Sequence, residues 1–173
     1  MDLGKNVVLV LLAVIAVLLQ LVLAPYIAIA GAVPNFIAVV AVLVAIVRHD
    51  SFGCVLPFVL GLLYDLFSGN AVGPMAFALL LSCYLASRLF EALNNDRALM
   101  ALLVAAAALL LTEVLYGILM LMLGYAGGTA GALAIRALPV FAYDLVLTAV
   151  LYPLVKRLIA ATSPIQSAIT RLR

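Results

Sequence analysis

The sequence predicts an all-α membrane protein of six transmembrane helices, and three observations carry that fold class. Hydrophobic residues make up 69% of the chain and charged residues 9%, with a mean hydropathy of +1.39. A soluble domain runs at about 45–50% apolar and about 25% charged, so no water-facing surface can be assembled from this composition. The few charges fall in short clusters between long apolar runs, the pattern expected where lipid replaces water as the solvent. A chain of 173 residues has room for six spans of roughly 20 residues with short connections and no separate soluble domain. Residues 1–160 are therefore read as one six-helix transmembrane domain and 161–173 as a short cytoplasmic amphipathic tail.

The first span is read over 6–24, ended by Pro25. It is longer than the roughly 7–15 apolar residues of a signal-peptide core, so it reads as a span rather than a cleaved leader. The second runs over 35–47, with 28–33 available to extend it across a kink at Pro34. The others run over 52–67, 72–89, 98–123 and 137–159. Gly, Pro, Asn or charge punctuates the connections at 31–35, 48–51, 68–70, 91–97 and 124–131. Connections this short make neighbouring helices antiparallel. The second and third segments are short for an apolar core of about 30 Å, which takes about 20 helical residues. Either partly unwound backbone buried in the bundle flanks them, or their true limits lie a few residues further out.

Orientation follows from the basic residues. With six spans, one side carries Lys5, Arg48, Arg88, Arg97, Lys156, Arg157, Arg171 and Arg173, and the other carries Arg136. That bias puts both termini in the cytoplasm. In the tail, Ser163 and Pro164 suit a helix start, and Ile165, Ala168, Ile169 and Leu172 share one face. With Arg171 and Arg173 this helix could lie on anionic membrane lipids, although a frayed tail fits equally well.

Several function classes are disfavoured. A net charge of +2 argues against a nucleic-acid partner. Cys54 and Cys83 lie in apolar helical stretches and read as small buried hydrophobes. His49 is the single histidine, and neither Cys-x-x-Cys nor metal-ligand spacing occurs, so no metal site and no cofactor is expected. No nucleophile stands beside a base, and no phosphate-binding glycine loop or catalytic carboxylate pair is present, so the chain is not expected to be an enzyme.

Three acids lie inside apolar segments: Asp65, Glu113 and Asp144. An ionisable group near the centre of a membrane helix costs at least about 2.5–3.5 kcal/mol, so each is a functional candidate by default. Counted from the helix ends, all three fall in the outer half or at the midplane, on the side that holds Arg136, and the four form a candidate intramembrane polar cluster. A proton or ligand pathway, contacts to a partner helix, and hydrogen bonding within the bundle all remain open as roles.

Two local patterns stand out. Small or polar residues recur every four positions at Gly61, Asp65, Gly69 and Gly73. The first two share a helix face, where Gly61 lets another backbone approach and Asp65 can hydrogen-bond across the contact. Gly69 and Gly73 then suit an outer turn with unusual dihedrals. Pro34-Asn35 is the second pattern: the proline ends irregular backbone and the asparagine can cap the second helix.

With Gln20 late in the first span, Arg48 in a short charged loop, Ser68 before Gly69, and Tyr84-Leu85-Ala86 before Arg88, these patterns resemble the MreD family of bacterial rod shape-determining membrane proteins. The specific part of the resemblance is confined to about 31–88, and the second half matches only in hydrophobic layout. Cys83 and Ser87 stand where members usually have glycine, and Pro57 in the third helix is atypical. The resemblance implies a fold similar to the substrate-binding subunits of energy-coupling-factor vitamin transporters. It further implies a non-enzymatic scaffold of the rod complex, or elongasome, in the bacterial cytoplasmic (inner) membrane. Such a scaffold maintains cell shape and lateral peptidoglycan synthesis by binding MreC, and through it MreB, RodA and a class B penicillin-binding protein. Asn35, Gly61, Asp65, Gly69 and Gly73 carry over as motif positions and, with Pro34, are the partner-interface candidates.

The competing reading is a vitamin-like small-molecule binding subunit of a membrane transporter, with the acids and Arg136 lining a cavity open to the outside. Against it, Ala13 and Ala16 have the wrong spacing for a coupling face, and Ala41 and Ala45 sit in the second helix. The chain also contains no Trp to grip an aromatic ligand.

The charge bias makes a direct prediction. A reporter fused after Arg173 is expected to be active only in its cytoplasmic form, and a periplasmic signal would refute the even span count.

Overall fold

The computed structural model describes residues 3–29, 32–48, 52–69, 71–93, 98–125 and 130–161, apart from the side chains at 3–5, 52–54, 130–136 and 161. The tail over 162–173, His49 and Arg97 lie outside the described residues. The described chain is helical: α1 (Leu3–Leu18), prolonged by one π turn (Leu19–Leu23), then α2 (Phe36–Val47), α3 (Phe52–Ser68), α4 (Pro74–Leu93), α5 (Ala98–Met122) and α6 (Ala130–Ala161). Its extended pairing is limited to an isolated bridge between Ile29 and Ala32.

Four stretches are long and apolar enough to cross a membrane: Asn6–Leu23, Pro74–Leu93, Ala98–Met122 and Ala137–Ala160. The other two apolar helices are shorter. At 12 residues, α2 rises about 18 Å, well short of a hydrocarbon core of about 30 Å.

The shortest helix is the centre of the molecule. No residue of α2 is polar, and Phe36 to Ile46 are all buried. A helix apolar on every face belongs inside a bundle rather than at its edge. α2 accordingly packs against each of the other five helices. At its far end Arg48 Nη1 donates to Asn6 Oδ1 at 3.1 Å, which ties the end of α2 to the start of α1 and fixes the two as antiparallel.

Two expected limits differ from those found. The described residues of 28–33 do not extend α2 across a kink: Ala28 and Val33 are irregular, and Ile29 and Ala32 form an isolated bridge. Asn35 stands outside the helix at φ −106°, because its backbone N–H is taken by a side chain from α6 rather than by a preceding turn. The sixth helix begins at Ala130, seven residues before 137. The intervening Ala, Leu and Arg residues are good helix formers and extend it through Arg136. Pro57, Pro139 and Pro153 all stand inside helices, each removing one donor from the backbone ladder.

α3 and α4 approach each other backbone to backbone, and Gly61 permits it. A Cβ at Gly61 would meet the Ala76 Cα at 2.5 Å and the Ala76 N and Met75 O at 2.7 Å. The obstruction is backbone, so no side-chain rotation relieves it. Gly61→Ala is expected to force the first turn of α4 away from α3 and destabilise the protein by about 1–3 kcal/mol, the usual range for overpacking. Thermal unfolding in detergent should show a lowered midpoint; an unchanged midpoint would mean the helices separate freely.

Candidate functional site

An α-helix begins with amide groups that have no acceptor within their own helix, and hydrocarbon supplies none. α4 starts buried, with Pro74, Met75 and Ala76 all enclosed. Its opening amides can be followed one by one. Gly73 N–H donates to Asp65 Oδ2 at 2.8 Å. Pro74 has no N–H to satisfy, which is why proline suits the first helical position. Met75 N–H reaches both carboxylate oxygens, at 3.2 and 3.1 Å, and Ala76 N–H reaches Oδ2 at 3.3 Å. Phe77 N–H then makes the first helical bond, to Gly73 O at 2.9 Å. Asp65, 0% exposed, thus performs from α3 the capping that Gly73 has no side chain to perform.

The turn that makes this possible uses the other glycines. Ser68 Oγ donates to the Asp65 carbonyl at 2.9 Å, closing the last turn of α3. Gly69 at φ 69° and Gly73 at φ 118° hold left-handed backbone that side chains resist. The recurrence of Gly61, Asp65, Gly69 and Gly73 therefore has one physical cause: close approach, cap, and two reversals of a single helical hairpin.

A second acid serves the start of α2. Asp144, 0% exposed, accepts from Asn35 N–H through Oδ1 at 2.8 Å. Asn35 Oδ1 accepts from Ala38 N–H at 3.0 Å, and Val39 N–H bonds to Asn35 O at 3.0 Å. Gln20, carried on the π turn, donates through Nε2 to Pro34 O at 3.2 Å. Tyr143 OH donates to Ile27 O at 3.2 Å, and Thr148 Oγ1 to the Asp144 carbonyl at 2.7 Å. The irregular stretch before α2 is thus held from both sides, by α1 and by α6. Because α6 starts early, Asp144 lies about 21 Å from its first residue, deeper than a start at 137 implied.

Glu113 is half-buried and stands within electrostatic range of Asp144 and of Tyr64. The Tyr64 ring meets Tyr116 edge-on, with centroids 6.1 Å apart and planes at 89°. Of the four members proposed for a polar cluster, Glu113 and Asp144 are thus near each other, and Asp65 acts at the α3–α4 turn beside Tyr64. The Arg136 side chain lies outside the described residues.

Sequence reasoning missed Tyr64 and Tyr143. A signal existed: Tyr-Asp-Leu occurs at Tyr64-Asp65-Leu66 and again at Tyr143-Asp144-Leu145, and each time the aspartate secures the start of another helix.

A carboxylate that accepts backbone amides at a helix N-terminus is electrostatically well placed there. Among the described residues no group of three or more His, Cys, Asp or Glu is arranged to hold a metal.

A family model described as rod shape-determining protein MreD matches residues 2–161. Neither the curated proteins nor the solved structures contain a match.

Replacing Asp65 separates its roles. Asp65→Leu strands the Gly73, Met75 and Ala76 amides and is expected to destabilise by at least about 3 kcal/mol, at roughly 1–3 kcal/mol per orphaned donor. Asp65→Asn keeps one acceptor oxygen and should fall between that variant and wild type. Unfolding midpoints in detergent read the order; equal midpoints for all three would remove the cap from the account.

Proposed function

We propose that this chain, which belongs to the MreD family of rod shape-determining proteins, is a non-enzymatic membrane scaffold of the rod complex. Membership implies a role in determining rod shape. The proposed mechanism is to hold MreC through contacts between transmembrane helices, with MreB, RodA and a class B penicillin-binding protein joined indirectly. Lateral peptidoglycan synthesis would depend on the platform so formed.

The observation that supports this reading is the use made of the buried polar groups. Asp65 and Asp144 each accept backbone amides at a helix start, so these carboxylates serve the shape of the bundle. The outer faces offer long apolar rows instead, such as Leu99, Leu103, Leu110, Val114 and Ile118 on α5. Association of helices in lipid rests on packing complementarity, which needs a rigid surface. In this reading Pro34, Asn35, Gly61, Asp65, Gly69 and Gly73 act on a partner by fixing the faces that it meets. The bundle would sit in the bacterial cytoplasmic membrane with six crossings, both termini cytoplasmic, and the 161–173 tail on the inner surface. α2 and α3 would cross with the help of buried unwound backbone. A likeness of this arrangement to the substrate-binding subunits of energy-coupling-factor transporters belongs to the same proposal.

Tagged protein purified from its native membrane is expected to carry MreC with it, and depletion is expected to round the cells. Unchanged cell shape together with absence of MreC from the purified material would end the scaffold reading.

A further inference from the structure

Basic residues mark where a membrane helix meets the head groups, and α4 and α6 carry such a mark in the same form. On α4 the Arg88 guanidinium lies over the Tyr84 ring, 5.5 Å from its centroid, and pairs with Glu91 at 3.3 Å. On α6 the Lys156 ammonium lies over the Tyr152 ring at 5.9 Å. Each cation folds back along its helix instead of stretching away from it, so each fixes the head-group level to within about a turn. α4 and α6 run in the same direction, because α5 returns between them. The two marks therefore lie on one side of the membrane.

Measured from those marks, the two helices reach different heights. On α6, Arg136 stands about 30 Å from Lys156, the full thickness of a hydrocarbon core. On α4, Pro74 stands only about 21 Å from Arg88. The 20 residues of α4 would span by length alone, but those beyond Arg88 lie on the head-group side of the mark. The turn between α3 and α4 thus falls about 9 Å short of the level that Arg136 reaches. Tilting α4 would lower it further.

Protein does not shelter the turn at that depth among the described residues. Phe67, Val72 and Phe77 around it are 55%, 58% and 50% exposed, and Ser68 and Gly69 are exposed as well. Polar backbone is present too: the last carbonyls of α3 lie beyond that helix's own ladder, and hydrocarbon holds no donor for them. Asp65 meets the amides that open α4, but its accepting oxygens offer the carbonyls nothing.

We propose that the bundle thins the bilayer beside α3 and α4, drawing the head groups and water of one leaflet down to the turn between them. Local thinning accommodates a short hydrophobic face at a modest cost per ångström, and the water it admits supplies donors to the α3 carbonyls. Along α6 the bilayer keeps its ordinary thickness. The proposal rests on the bundle's crossing a membrane and not on which protein it holds.

The chain has no Trp, so a single introduced Trp reports its own surroundings. Val72→Trp at the turn, Leu89→Trp just past Arg88, and Val114→Trp, about 24 Å along α5 from Ala98, are made in the full chain and placed in dioleoylphosphatidylcholine vesicles. All three positions are exposed, so the larger side chain displaces lipid or water instead of core. Acrylamide in the water is expected to quench Val72→Trp and Leu89→Trp several-fold more strongly than Val114→Trp. Lipids brominated along the acyl chain should quench in the reverse order. Brominated-chain quenching as strong at Val72→Trp as at Val114→Trp would overturn the thinning. So would strong brominated-chain quenching of Leu89→Trp, which would mean that the bundle is only displaced along the membrane normal. Protection of Val72→Trp from both quenchers would equally overturn it, by showing that protein covers the turn. Strong acrylamide quenching of Val114→Trp would remove the crossing itself, and the proposal with it.

Discussion

A helix that starts inside a bundle in lipid has amides that neither its own turns nor the solvent can satisfy, and the architecture follows from how this chain meets that constraint. At α4 the acceptor is Asp65, reaching three amides from the end of the preceding helix. At α2 it is Asp144, reaching Asn35 from the last helix. Each cap lets a helix begin below the bundle surface. For α2 that allows a 12-residue helix to sit at the centre with irregular backbone before it. The same constraint accounts for the glycines: Asp65 can reach its targets only because Gly61 lets α4 touch the α3 backbone.

Much of this was legible in the sequence, and particular residues show why. α2 announces its burial by having no polar residue at all, and Pro34-Asn35 marks its start. The four-residue recurrence from Gly61 to Gly73 marked a close approach by another backbone, without naming the helix, and an outer turn after it, because close approach and left-handed backbone both demand glycine. What could not be read was pairing across long separations. Nothing local to Asp144 indicates that its partner is the Asn35 amide, 109 residues away, and the repeated Tyr-Asp-Leu becomes informative only once both contacts are known. The start of α6 was misplaced because Gly-rich sequence and a single Arg136 resemble a loop, whereas helix propensity over 130–136 prevailed.

The caps also divide the molecule's polar groups by role. Those at helix starts hold backbone amides, and Thr112 and Thr148, both 0% exposed, satisfy their hydroxyls on carbonyls four residues earlier. Three buried atoms are left without a hydrogen-bond partner among the described residues: Gln20 Oε1, whose Nε2 donates to Pro34 O, Ser82 Oγ and Asp144 Oδ2.

The separation between Asn35 and Asp144 also sets an order of biogenesis. Asp65 finds its amides within about a dozen residues, so α3 and α4 can enter the membrane together as a hairpin, the carboxylate covered as soon as α4 leaves the ribosome. Asn35 has no such recourse. Its amide meets the Asp144 carboxylate only after α6 has been synthesised, since that group is among the last to be made. The central helix is therefore early in the chain while the contact that completes its start comes late, and a truncation that removes α6 would leave the core of the bundle, not merely its edge, incomplete.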